Sequence, residues 1–123
     1  MKIHEHQAKD FFRKYGVPVP ESRVFGTTDG VAQAAAEMGP PVFVKAQVHA
    51  GGRGKGGGVR KAETADEAAR AAEAILGMEL GTAQTGGAGR TVRSVLVEKA
   101  APVASLLYAA VLVDRRAARA TFL

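Results

Sequence analysis

Six of the eight residues from 51 to 58 are glycine, and the other two are Arg53 and Lys55. No acidic residue occurs between positions 39 and 62. Val42-Phe43-Val44 reads as a buried strand running into Lys45, and Val59 resumes an extended pattern after the glycines. A loop with so little side-chain bulk lets backbone N–H groups come close to an anion, while Arg53 and Lys55 add charge. Strand, lysine, glycine-rich loop, strand is the layout of a phosphate clamp laid over a nucleotide.

The rest of the composition agrees with a local anion site. The net charge is +5, but only five of the 17 basic residues lie between 45 and 61 and the others are scattered. That distribution suits one phosphate site better than a continuous nucleic-acid stripe. With 123 residues, 46% hydrophobic and 24% charged, the chain is ordinary globular material, one compact domain or part of a larger one. The absence of cysteine excludes disulfides, thiolate metal sites and a cysteine nucleophile. The opening Met1-Lys2-Ile3-His4-Glu5-His6 lacks the apolar core of a signal peptide, and no run reaches the roughly 18 apolar residues of a membrane span. A cytoplasmic protein without membrane contact is the expectation.

Residues 4–15 read as an amphipathic helix with Ile3, Ala8, Phe11, Phe12 and Tyr15 near helical spacing, stopped at Gly16. Val17-Pro18-Val19-Pro20 is an extended linker. Val24-Phe25 starts a short strand, and Thr28 is expected to cap a helix through Met38. Strands follow at 42–48 and 58–62. Thr64-Ala65-Asp66-Glu67 reads as a capping box for an alanine-rich helix ending at Gly77. Residues 79–90 read as loop, 92–98 as strand, 105–114 as a long strand, 115–117 as a turn and 120–123 as a returning strand. The order β-α-β-β-α-β over 22–99 is a compact α+β unit. The apolar ending Ala120-Thr121-Phe122-Leu123 would leave an open edge, so the chain is expected to be the N-terminal part of something longer, or a truncated relative.

The opening Ile3-His4-Glu5-His6-Gln7-Ala8-Lys9, the block from Val44 to Lys55, the strand Val95-Leu96-Val97-Glu98 and the closing Val113-Asp114-Arg115 together resemble the start of the succinyl-CoA synthetase (succinate–CoA ligase, ADP-forming) β subunit. The resemblance covers the whole chain and roughly the first third of that subunit. It implies the N-terminal lobe of an ATP-grasp fold: residues 21–103 as the first lobe, the opening helix and linker 1–20 packing with the second lobe, and 104–123 as an incomplete hairpin of the second lobe. It implies a tricarboxylic acid cycle reaction joining succinate to coenzyme A with ATP or GTP, through a phosphohistidine on a partner α subunit. The magnesium ligands and the rest of the active site fall outside this stretch.

Carried over residue by residue, the resemblance puts Lys45 on nucleotide phosphates, with Gly52, Arg53 and Gly54 as the phosphate loop, where glycine donors and a guanidinium stabilise a transferring phosphoryl group. Read without it, Lys45 is a solvated strand-end lysine and the loop a flexible hairpin or an RGG-like RNA-binding tract. Glu98 and Ala101 fall at the hinge between lobes, the latter through its main chain; by pattern alone Glu98 is an exposed strand-end carboxylate. Two positions depart from the family. Leu106 stands where a glutamate usually holds the ribose hydroxyls, a loss worth roughly 1.5–3 kcal/mol, and Ala109 replaces a glycine. His4 and His6 are two apart, on different helix faces, which is poor metal spacing, and a structural role is expected for His49.

The favoured reading is the nucleotide-binding part of an acid–CoA ligase β subunit, with no catalytic residue and no metal ligand of its own. A malate–CoA ligase β subunit is a sister reading that these residues do not separate. A truncated non-catalytic relative that binds a nucleotide or a partner subunit is the alternative. A small RNA-binding module ranks last, since the chain has only five Phe and two Tyr, mostly at core-like positions.

Overall fold

The computed structural model describes residues 2–83, 85 and 88–123. It contains α1 (Glu5–Lys14), β1 (Ser22–Phe25), α2 (Val31–Met38), β2 (Val42–Ala46), β3 (Val59–Ala62), α3 (Ala65–Ile75), β4 (Glu79–Leu80), β5 (Arg90–Thr91), β6 (Val95–Lys99), β7 (Val111–Asp114) and β8 (Arg119–Phe122). Strands β1, β6, β2 and β3 form an antiparallel sheet in that spatial order. The expected β-α-β-β-α-β unit is present, with the short β4–β5 pair inserted before its last strand.

Alternation decides which way each strand faces. Val42, Val44 and Ala46 of β2 and Val95 and Val97 of β6 are fully buried. They pack against Val31, Ala35 and Met38 of α2 and Ala68, Ala72 and Ile75 of α3. The alanines let the two helices lie close to the sheet. The intervening residues, Lys45 on β2 and Glu98 on β6, therefore turn to the opposite face. Register brings them together: Lys45 lies opposite Leu96 and Phe43 opposite Glu98, so Lys45 and Glu98 are diagonal neighbours.

Local signals explain most boundaries. The Thr64 hydroxyl accepts from Glu67 N at 3.2 Å, starting α3 as expected. The returning carboxylate of Glu67 takes the N–H of Glu63 rather than that of Thr64, at 2.7 Å. Helix α1 ends at Lys14, with Tyr15 as its C-cap and Gly16 following at φ 74°.

Several expectations are corrected. Thr28 does not cap α2: Gly30, at φ 79°, holds the N-cap, and Thr28 contributes only its carbonyl, which accepts from Val31 N at 3.2 Å. Strand β2 stops at Ala46 instead of residue 48, because Gln47 N turns to Ser94 O. The stretch 79–90 is not all loop, since Glu79–Leu80 pairs with Arg90–Thr91. The long strand expected over 105–114 is short, confined to 111–114, where β8 supplies a partner. The apolar residues of α1 do not enter the core: Phe11, Phe12 and Tyr15 are exposed, as are Leu106, Leu107, Val113 and Phe122.

Candidate functional site

On the sheet face opposite α2 and α3, five charged side chains from four segments form one network. Lys45 Nζ lies 2.7 Å from Glu98 Oε1 and 3.2 Å from Glu5 Oε1. Lys9 Nζ lies 2.9 Å from Glu5 Oε1 and also pairs with the other oxygen of Glu98. Arg53 donates to Glu5 Oε2 at 2.5 Å and, through its other terminal nitrogen, to the main-chain oxygen of Ala46 at 2.7 Å. Three cations thus surround two carboxylates. Glu98 is only 5% exposed, so its charge depends on these partners.

The electrostatics follow from that geometry. Burial alone would raise the Glu5 carboxyl, but Lys9, Arg53 and Lys45 outweigh it and bring it down to about 2. Lys9 moves the other way: burial and the neighbouring Lys45 take its ammonium below the usual range despite Glu5. The network's net contribution is therefore smaller than the Glu5 shift by itself suggests.

The glycine loop is a sequence of tight turns. Lys55 N donates to Gly52 O at 3.1 Å, Gly57 N to Gly54 O at 3.2 Å, and Gly58 N back to Arg53 O at 2.8 Å. Gly52 sits at φ 76°, where a side chain would strain the backbone. At Gly54 a Cβ would meet nothing within 4 Å, so its backbone is open to close approach. Gly56 and Gly58 serve packing instead, with a Cβ at either position meeting Leu80 at 2.8 Å.

Of the six residues expected at a nucleotide, Lys45 and Arg53 converge on Glu5, Glu98 joins them through Lys45, and Gly52 and Gly54 flank Arg53. Ala101 lies apart, in a groove of ≈ 400 Å³ formed by Pro18, Val19, Pro20 and Glu21 with Lys99, Ala100 and Pro102. The exposed strand-end carboxylate that pattern alone suggested for Glu98 is overturned by its burial. Sequence reasoning missed Glu5 and Lys9 as members of the site. Their i,i+4 spacing was a visible signal, but one shared with many exposed helical pairs. It also misplaced the histidines. His4 is the N-cap of α1, outside the helix, so opposed helix faces do not separate it from His6. The rings of His4 and His6 stack at 5.6 Å between centroids, and those of His4 and His49 at 3.9 Å.

The family model described as the ATP-grasp domain matches residues 2–123. The chain belongs to the ATP-grasp family. The ATP-grasp chain is 54% identical over 119 residues to the succinate–CoA ligase [ADP-forming] subunit beta of Desulfosudis oleivorans, covering 96% of this chain and 31% of the relative. It is 51% identical over 124 residues to the same subunit of Syntrophobacter fumaroxidans, covering 100% and 32%. The family resemblance read from Ile3–Lys9 and Val44–Lys55 agrees with these matches. The chain spans about a third of the length of these curated relatives. Among solved structures, a Ca. Korarchaeum cryptofilum acetyl-coenzyme A synthetase, in complex with coenzyme A, acetyl-coenzyme A and a phosphorylated phosphohistidine segment, superposes with TM-score 0.68. It is 24% identical, and the match covers 94% of this chain and 48% of that one, which establishes a shared ATP-grasp fold.

Proposed function

We propose that this ATP-grasp chain is the nucleotide-binding part of an acid–CoA ligase β subunit, which joins succinate to coenzyme A with ATP, giving ADP and phosphate. The observation that carries the reading is the convergence of Lys45 and Arg53 beside a backbone-exposed glycine turn, in a chain about half identical to succinate–CoA ligase β subunits. In this reading Lys45, Arg53 and the backbone at Gly52 and Gly54 hold the phosphates, while Glu98 and the main chain of Ala101 border the rest of the nucleotide. GTP offers the same phosphates and would meet the same groups. Residues 21–103 form the first lobe, and the exposed apolar side chains of α1 and of β7–β8 belong with a second lobe. An α subunit is the partner, and the tricarboxylic acid cycle and the cytoplasm are the setting; no helix among the described residues is long and apolar enough to cross a membrane.

Chemistry in such a site is positioning plus electrostatics. Lys45 and Arg53 would neutralise phosphate charge, but both already contact Glu5. A bound phosphate must therefore take over one or both of these cations from Glu5. Among the described residues no group of three or more His, Asp or Glu side chains is arranged to hold a metal ion.

Calorimetric titration of ATP into the chain and into Lys45→Ala and Arg53→Ala tests the proposal. Each substitution removes a charged contact and should weaken binding by about one to two decades. ATP affinity unchanged in both variants, with melting curves showing that they are folded, would overturn it.

A further inference from the structure

A cleft of ≈ 320 Å³ bordered by the stacked His4 and His49 rings adjoins the Arg53 side of the charged network, sharing Lys2, Val48 and His49 with a neighbouring cleft lined by Glu5 and Arg53. Its ionisable lining consists of Lys2, His4, His49, Arg90 and Arg93, with the Ser94 hydroxyl beside them. Among the described residues no carboxylate lines it. Three segments distant in sequence supply these groups: the N-terminus, the turn after β2, and the stretch from β5 to β6. Among the described residues, Lys2, Arg90 and Arg93 form no ion pair, while the nearby carboxylates are committed elsewhere. Glu5 is held by Lys9, Lys45 and Arg53, and Glu79, though it accepts from the cleft residue Thr91, is itself outside the lining. A concave surface lined by cationic side chains concentrates anions, and a guanidinium group matches the oxygens of a phosphate.

The floor of the cleft is built rather than loose. Gln47 is buried, and its amide nitrogen donates to the carbonyls of Lys45 and Ala46 at 3.2 and 3.3 Å. Its oxygen therefore faces His6, accepting from His6 N at 3.2 Å and lying 3.0 Å from His6 Nδ1. That contact makes Nδ1 the protonated nitrogen of His6 and sets its ring, against which His4 stacks.

We propose that this cleft is a second anion site, distinct from the Lys45–Arg53 site, which takes a phosphate group between Arg90, Arg93 and the His4–His49 pair. Its affinity depends on pH through His4. Burial, then His49, His6 and Arg53, hold the His4 imidazole below its usual value, so it is mostly neutral at neutral pH. A bound anion favours the imidazolium. By linkage, binding strengthens as pH falls through the His4 titration, and saturation raises the His4 pKa. Glu5, held down to about 2, does not supply that pH dependence, and the His6 and His49 rings that face His4 are followed alongside it.

The test is a titration of inorganic phosphate into the 123-residue chain, followed by NMR of the imidazole C–H signals at about pH 6 and pH 8. The expected result is a saturable shift of His4 and His49 with a raised His4 pKa at saturation; sulfate, titrated in parallel because its charge is constant over this range, binds tighter at the lower pH. The Arg90→Ala/Arg93→Ala double variant should weaken phosphate binding at least about tenfold; ATP affinity is then unchanged where free phosphate is the occupant and falls where a nucleotide phosphate is. Lys45→Ala should leave phosphate binding at this cleft unchanged. A phosphate-induced shift that persists under saturating ATP identifies free phosphate as the occupant. A shift abolished by ATP, but still lost in the Arg90→Ala/Arg93→Ala variant, identifies a nucleotide phosphate there, and both outcomes uphold the site. No saturable shift at tens of millimolar phosphate overturns the proposal. So does a shift lost in Lys45→Ala and kept in the Arg90→Ala/Arg93→Ala variant, since the anion then sits at the Lys45–Arg53 site.

Discussion

Glu5→Gln removes one negative charge from the centre of the network while keeping the side chain's shape, so its effect is electrostatic and not a cavity. The Glu5 carboxyl is held down to about 2 from an ordinary 4.5, and with 20% of the side chain exposed it is only lightly screened. A depression of that size corresponds to about 3 kcal/mol of stability at neutral pH. Lys9 gives part of this back, because its own ammonium is destabilised by burial. A net loss of about 1–3 kcal/mol translates, at about 4 °C per kcal/mol for a chain of this length, into a melting temperature lower by about 4–12 °C. Because the folded carboxyl titrates lower than the unfolded one, this stability is fully present above 4.5 and is lost as pH falls toward about 2. At pH 3 the Glu5 contribution shrinks to about 1 kcal/mol, so wild type and variant converge. Melting curves at pH 7, 4 and 3, read by circular dichroism, test this. Equal melting temperatures at pH 7, or a gap that does not narrow toward pH 3, would refute the electrostatic account. The same variant leaves Lys45 and Arg53 facing a neutral amide, and ATP should bind it more tightly than wild type when the two are compared by calorimetry. Weaker ATP binding by a folded Glu5→Gln chain would refute the exchange of cations between Glu5 and phosphate.

Gly56→Ala should lower the urea midpoint by an amount equivalent to about 1–3 kcal/mol, because its Cβ would stand 2.7 Å from the main-chain oxygen of Gly81 and 2.8 Å from Leu80 Cδ1; an unchanged midpoint would show that this packing yields easily. Leu106→Glu should leave the melting temperature nearly unchanged, within about 0.5 kcal/mol, because Leu106 is 85% exposed and no core receives it. If the family's ribose contact carries over to this position, the same variant binds ATP about one to two decades more tightly, and unchanged affinity in calorimetry rejects that contact.

Much of the site was legible in one dimension. Lys45 ends an alternating apolar strand, and the glycines that follow leave few options besides a turn open to an anion. The opening helix, the Thr64 cap and the strand at Val95 were readable because each depends on neighbours within a few residues. Residues 79–90 and 105–114 were misread because β4–β5 pairing and the exposure of residues 105–109 are not local properties.

What the sequence by itself determined is therefore the set of elements and the chemistry each one carries: a cationic strand end, a glycine loop, a helix beginning with histidine and glutamate. Only the tertiary structure decided that these form one site. Glu5 reaches Lys45 across 40 positions and Lys9 reaches Glu98 across 89. The register of β2 on β6 puts Lys45 and Glu98 on the sheet face away from α2 and α3, and α1 lays its own charges there. The physical reason is that an ion pair between distant residues depends on sheet register and on which helix covers the open face. Neither leaves a periodic mark in the chain, whereas a cap or a turn is written in adjacent residues.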